Sequence, residues 1–252
     1  MKTCLFLLRR DLMLIKMNML KRIGILFGMS LAMSLLSGIQ GQKWLLVDSL
    51  VGIEASTFQE NPFSFPVGWM LISISGILIS FDFVRMDFYE YSSNILVRVR
   101  KKHFWLSKML AGAFLSLCLV LLYAFVYGVS GLLYAALNGE KLMEISQWCR
   151  ICPYLFFSIF LGYCVFQLAA LFFKEVVGAM VVLIGFTLGM GSDAYWFPVN
   201  HLMAVRSLEI NPLGTATLLE NLIFVGAVIA AAIFIGAISI DRIDVFSRKE
   251  SD

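Results

Sequence analysis

The sequence predicts an all-α membrane protein: six transmembrane helices, an N-terminal interfacial helix, and short re-entrant outer helices between spans five and six. Three observations predict it. Hydrophobic residues make up 60% of the 252 residues and charged ones only 15%, with a mean hydropathy of +0.86. Soluble domains carry about 25% charged residues and need that polar cover, whereas lipid solvates an apolar exterior. Apolar runs recur at lengths near the ~20 residues that a spanning helix requires. Lys and Arg gather in alternate connections between those runs. The whole of 1–252 reads as a single transmembrane domain, without internal repeat, low-complexity tract or second domain.

Residues 1–22, MKTCLFLLRRDLMLIKMNMLKR, come first. Leu5, Leu8, Leu12 and Ile15 share a helical face, and Arg9 and Lys16 lie off it. This reads as a helix lying in the inner interface. Six basic residues are spread through the stretch and no long apolar core precedes Ile23, which is unlike a signal peptide. The spans then follow as Ile23 to about Gln40, Phe65 to Val84, Phe104 to Leu137, Ile151 to Phe173, Val176 to Met190 and Leu222 to Ile240. The third is roughly 50 Å long as a helix, so it must tilt or project from a ~30 Å hydrocarbon layer.

With both termini inside, segments 1–22, 85–108, 174–175 and 241–252 hold 16 of the 20 basic residues, and only Lys43, Lys141, Arg150 and Arg206 fall outside. This distribution sets a multi-pass topology with both termini cytoplasmic. The outer loop 41–64 reads as a short solvated connection, and Lys174-Glu175 as a tight inner turn. Segment 191–221 is too apolar for free solvent and too broken to span, which suggests short helices dipping into the outer leaflet.

The inner connection 85–108 is the most distinctive stretch. Tyr89 to Val97 can form a short amphipathic helix, with Tyr91, Ile95 and Leu96 on one side and Glu90, Ser93 and Asn94 nearer the other; Ser92 lies within it. Arg98, Arg100, Lys101 and Lys102 follow, then Phe104-Trp105 at the interface, and Lys108 starts the rise into span three. Positive charge of this kind holds a loop inside and attracts anionic membrane lipids, at about 1 kcal/mol per residue. A net charge of only +3 gives no case for nucleic acid.

Other chemistry is weighed against context. WCRICP, Trp148 to Pro153, has a thioredoxin-like Cys-x-x-Cys form but no strand beside it and no second cysteine pair; two interfacial cysteines, free or joined as a disulfide, are the simpler reading. GVSG, Gly128 to Gly131, has the form of a rhomboid nucleophile motif, so an intramembrane serine protease using Ser130 with His201 stands as an alternative. Small residues there also suit close helix packing. The chain has no phosphate-binding loop, and His103 and His201 fall on opposite sides, so no metal site is expected. Essentially no ionisable group lies deep in a span. Asp82 is expected to pair with Arg85, and Tyr163, Gln167 and Ser130 are the polar groups that could line a substrate path.

The SSNILVRVRKKHFWLSKML stretch, the amphipathic N-terminal helix, the tight turn at Lys174-Glu175 and the broken outer segment together resemble the permease subunits of type-2 ABC transporters, the small six-span bacterial kind whose ATPase is a separate chain. The resemblance covers nearly the whole chain as an architecture. It implies a bacterial plasma-membrane exporter of peptides, drugs or lipid-like molecules, with bacteriocin export or immunity common among the smallest members. It implies no catalysis on this chain, with ATP and Mg held by a partner ATPase, and a second permease copy or a similar sister. The coupling residues would be Tyr89, Glu90, Tyr91, Ser92, Ser93 and Asn94, with Arg98, Arg100, Lys101 and Lys102 behind them. A non-catalytic membrane scaffold is the remaining alternative.

Overall fold

The computed structural model describes residues 2–39, 47, 49–61, 66–85, 100–140, 143–192 and 194–242. Their regular structure is helical: α1 Lys2–Ile39, α2 Ala55–Glu60, α3 Val67–Arg85, α4 Lys101–Asn138, α5 Ile145–Phe172, α6 Glu175–Met190 and α7 Leu218–Arg242, with two 3₁₀ turns at Pro198–Leu202 and Ala204–Arg206. Among them α4, α5 and α7 are long and apolar enough to cross a membrane, and Val67–Phe81 and α6 are shorter apolar helices.

The long third run forms one helix of 38 residues, about 57 Å at the α-helical rise. It ends where Gly139 takes a left-handed φ of 74° and its N–H bonds the Ala135 carbonyl. The turn at Lys174-Glu175 is as tight as its sequence implies: α5 ends at Phe172 and α6 begins at Glu175.

Two expectations change. The helix over 1–22 does not stand apart from the first apolar run, because Lys2–Ile39 is one unbroken helix. No Pro interrupts it, and its first half packs on α4 rather than lying alone. The connection 41–64 is not simply solvated either. Leu50 is fully buried, and α2 is tied to the outer segment by Gln59 donating to the Gly191 carbonyl at 3.0 Å.

Side-chain pairs set the helix directions. Asp11 meets Ser107 and Ser34 meets Ser130, so α1 and α4 run parallel and in step over 23 residues, about 35 Å. Ser73 with Ser158 and Phe81 with Phe166 make α3 parallel to α5. Trp105 donates to the Ile233 carbonyl and Lys102 pairs with Asp241, so α4 and α7 are antiparallel. The described long helices thus alternate in direction along the chain. α5 is the central one, packing on α3, α4, α6 and α7. Glycines allow the closest approaches: a Cβ on Gly112 would collide with the Tyr163 ring, and one on Gly236 with Trp105.

The segment expected to dip as short helices folds as the two 3₁₀ turns, shorter than that expectation. Leu202, Met203 and Ala204 are fully covered by protein.

Candidate functional site

The basic connection enters the bundle at the first turns of α4. Arg100 is the N-cap, with φ −61° and ψ 132°, and is exposed. Lys101 is half-buried, and Lys102 lies 3.1 Å from Asp241 at the end of α7. Residues 86–99 lie outside the described residues, and so do Tyr89, Glu90, Tyr91, Ser92, Ser93, Asn94 and Arg98. The side chains of Asp82 and Arg85, expected to pair, lie outside them as well.

One turn further in, charge is buried. Asp11 of α1 accepts from Arg10 Nη2 at 2.6 Å, Arg10 Nε at 3.1 Å, Ser107 Oγ at 3.1 Å and Lys108 Nζ at 3.4 Å. The side chains of Asp11 and Lys108 are 0% and 1% exposed. The Phe104 ring sits 5.8 Å from the Arg10 guanidinium carbon and 5.3 Å from the Lys108 ammonium. Two cations therefore share one carboxylate and one aromatic ring. Both are favourable where water is excluded, and the pair offsets the desolvation that either charge alone would suffer. Neither residue was expected to be buried: Asp11 read as part of the basic tail and Lys108 as the start of span three.

The same turns are gripped from the other sides. Tyr163 Oη of α5 donates to the Lys108 carbonyl at 3.0 Å, and Trp105 Nε1 donates to the Ile233 carbonyl of α7 at 2.8 Å. Residues 102–108 thus bond to α1, α5 and α7 within two turns. Of the polar path candidates, Tyr163 is buried in this packing. Gln167 is 1% exposed, and both atoms of its amide meet no hydrogen-bonding partner among the described residues.

Ser130 lies far along α4. Its hydroxyl reaches Ser34 Oγ at 2.7 Å and the Val126 carbonyl at 2.9 Å. His201 is held elsewhere, with Nδ1 2.6 Å from Asn221 Oδ1 and Nε2 2.6 Å from the Tyr195 carbonyl. The contact a serine–histidine nucleophile needs does not form. Cys149 and Cys152 both lie on α5 as free thiols, and no metal-holding group of His, Cys, Asp and Glu occurs among the described residues.

At the opposite end of the bundle, Arg206 organises a cap. Its guanidinium donates to the carbonyls of Ile53, Gly189, Met190 and Ser192 and to Asn200 Oδ1, at 2.7 to 3.4 Å. Two of those carbonyls belong to the C-terminal turn of α6, where a cation also opposes the helix dipole. Glu209 caps α7 by accepting from the Leu218 N–H at 2.8 Å, and it also accepts from Ser207 Oγ. These bonds, led by that of Ser207, hold its carboxyl below the usual carboxylate range.

Asp11 and Arg206 are the residues that sequence reading missed. Asp11 looked like one acid in a basic tail, and Arg206 like a lone outer cation. Only the excess of Lys and Arg around Asp11 hinted at a partner, and nothing near Arg206 did.

No family model, curated protein or solved structure matches the chain.

Proposed function

We propose that the chain is the membrane-spanning permease subunit of an ATP-driven exporter. It crosses a bacterial plasma membrane six times with both termini cytoplasmic. It works with a cytoplasmic ATPase that holds ATP and Mg, and with a second permease copy or a sister chain, and it moves a peptide, drug or lipid-like substrate by alternating access. One observation carries this reading: the basic connection feeds directly into residues of α4 bonded to α1, α5 and α7. A push on that connection would reach four helices at once, which suits a subunit driven from outside itself. Interfaces and cores of packed helices shift between discrete arrangements rather than bending continuously.

The test is affinity purification of the chain from its own membranes. A stoichiometric ATPase with a phosphate-binding loop is the expected companion. Glu90→Ala with Asn94→Ala should leave insertion intact and weaken that association, or uncouple ATP hydrolysis from transport. Recovery of the chain with no nucleotide-hydrolysing partner would favour a scaffold instead.

A further inference from the structure

The cap encloses a cavity of about 470 Å³ between the chain before α2, the first turns of α5 and the segment Val205–Asn211. Small-molecule sites typically measure about 300–1,000 Å³ and are mostly apolar with a few fixed polar groups. Here Val51 and Ile151 are buried and Val205 is half-buried, forming an apolar wall. Glu54 and Asn211 are half-buried and Arg150 is exposed, so polarity lies toward the opening.

Hydrogen bonds fix the polar groups in advance and decide which charge the cavity accepts. Arg150 Nη1 is committed to the Glu209 carbonyl at 2.7 Å. The Glu209 carboxylate is committed to Ser207 and Leu218. Asn211 Nδ2 donates to Glu54 Oε1, and no described group bonds the other Glu54 oxygen. Among the described residues the lining therefore carries two carboxylates against one guanidinium, with one carboxylate oxygen open beside an apolar wall.

We propose that this cavity binds an amphiphilic cation: an ammonium, phosphonium or guanidinium group at Glu54, with an apolar body against Val51, Ile151 and Val205. A small organic cation and a lysine-bearing peptide share this chemistry. The site does not depend on the exporter reading, because binding requires no ATPase.

The experiment uses the full chain in lipid nanodiscs, with empty nanodiscs correcting for partition into lipid. The probes are tetraphenylphosphonium, a short lysine-containing peptide with an amidated end, and tetraphenylborate as an anion of matching shape. At least one cationic probe should bind saturably, and the anion should not. Glu54→Gln keeps an oxygen for Asn211 but removes the charge, and should weaken binding about tenfold, the loss of one charge-assisted contact. Val205→Phe should block binding by filling the wall, while Glu60→Gln, exposed at the end of α2, should leave it unchanged. Preference for the phosphonium or for the peptide assigns the ligand to one source or the other, and either supports the proposal. It is overturned if neither cation binds saturably, if the anion binds as well, or if Glu54→Gln binds as tightly as the unaltered chain.

Discussion

Lys108 and Asp11 meet at 3.4 Å between two parallel helices, and both side chains are sealed from solvent. Removing one member of a buried pair leaves a charge with no compensation, at a cost of about 3–5 kcal/mol. Asp11→Leu should therefore destabilise strongly, because it removes the carboxylate that Lys108, Arg10 and Ser107 all share. Lys108→Met should cost less, since Arg10 and Ser107 still bond Asp11. The double variant should recover much of the loss, as an apolar pair of similar volume often replaces an ion pair neutrally. Thermal unfolding in detergent micelles reads all three.

Close packing at glycine gives a second expectation. Gly112→Ala and Gly236→Ala force a methyl group into Tyr163 and Trp105, so each should cost about 1–3 kcal/mol. Gly24 and Gly128 have nothing within 4 Å of a built Cβ. Alanine there should be neutral or slightly stabilising, by up to about 1 kcal/mol from helix propensity. The same unfolding assay separates the two classes.

Arg206 should be irreplaceable at the cap. Arg206→Met removes the guanidinium donor from the carbonyls of Met190 and Ser192, and a buried unsatisfied group costs about 1–3 kcal/mol. Arg206→Lys should restore only part of this, because one ammonium cannot span a fork of carbonyls. Limited proteolysis of segment 191–217 should accelerate in the order arginine, lysine, methionine.

Glu209 makes the cap sensitive to acid. Its carboxyl is held below the usual carboxylate range by Ser207 and the Leu218 N–H. A depressed folded-state value means that the stabilisation is complete above the ordinary carboxylate range and is lost as pH falls through the lowered value. Unfolding temperature should therefore decline on acidification, and Glu209→Gln should flatten that decline. Glu209→Ala should cost about 1 kcal/mol at neutral pH, the typical net worth of a lost hydrogen bond.

Ser130 should be chemically inert. A fluorophosphonate probe should leave it unlabelled, since its hydroxyl faces Ser34 and Val126 rather than a base. Ser130→Ala should cost about 1 kcal/mol for the lost hydrogen bond. Labelling at Ser130, read by mass spectrometry of the intact chain, would revive the hydrolase.

Element positions were legible because each depends on a local pattern. The α4 run is apolar from Met109 to Leu137, and the turn at Lys174-Glu175 interrupts two such runs within a few residues. The site was not legible, because its partners are distant in sequence. Asp11 and Lys108 are separated by 97 positions, and Arg206 reaches a carbonyl 153 positions away at Ile53. Periodicity reports which face of a helix is buried, not which acid on that face finds which base. The 1–22 stretch hid its packing for the same reason: its basic residues drew attention to a surface, and the acid among them, Asp11, meets α4 at Ser107 and Lys108.

The two parallel rods α1 and α4 are joined at two heights, by Asp11–Lys108 near one end and Ser34–Ser130 near the other. Two rivets at separate levels forbid sliding, since a slip that preserved one would shear the other. Displacement of either rod along its axis therefore breaks a bond at one level or the other, whereas swinging or rolling the two together keeps both.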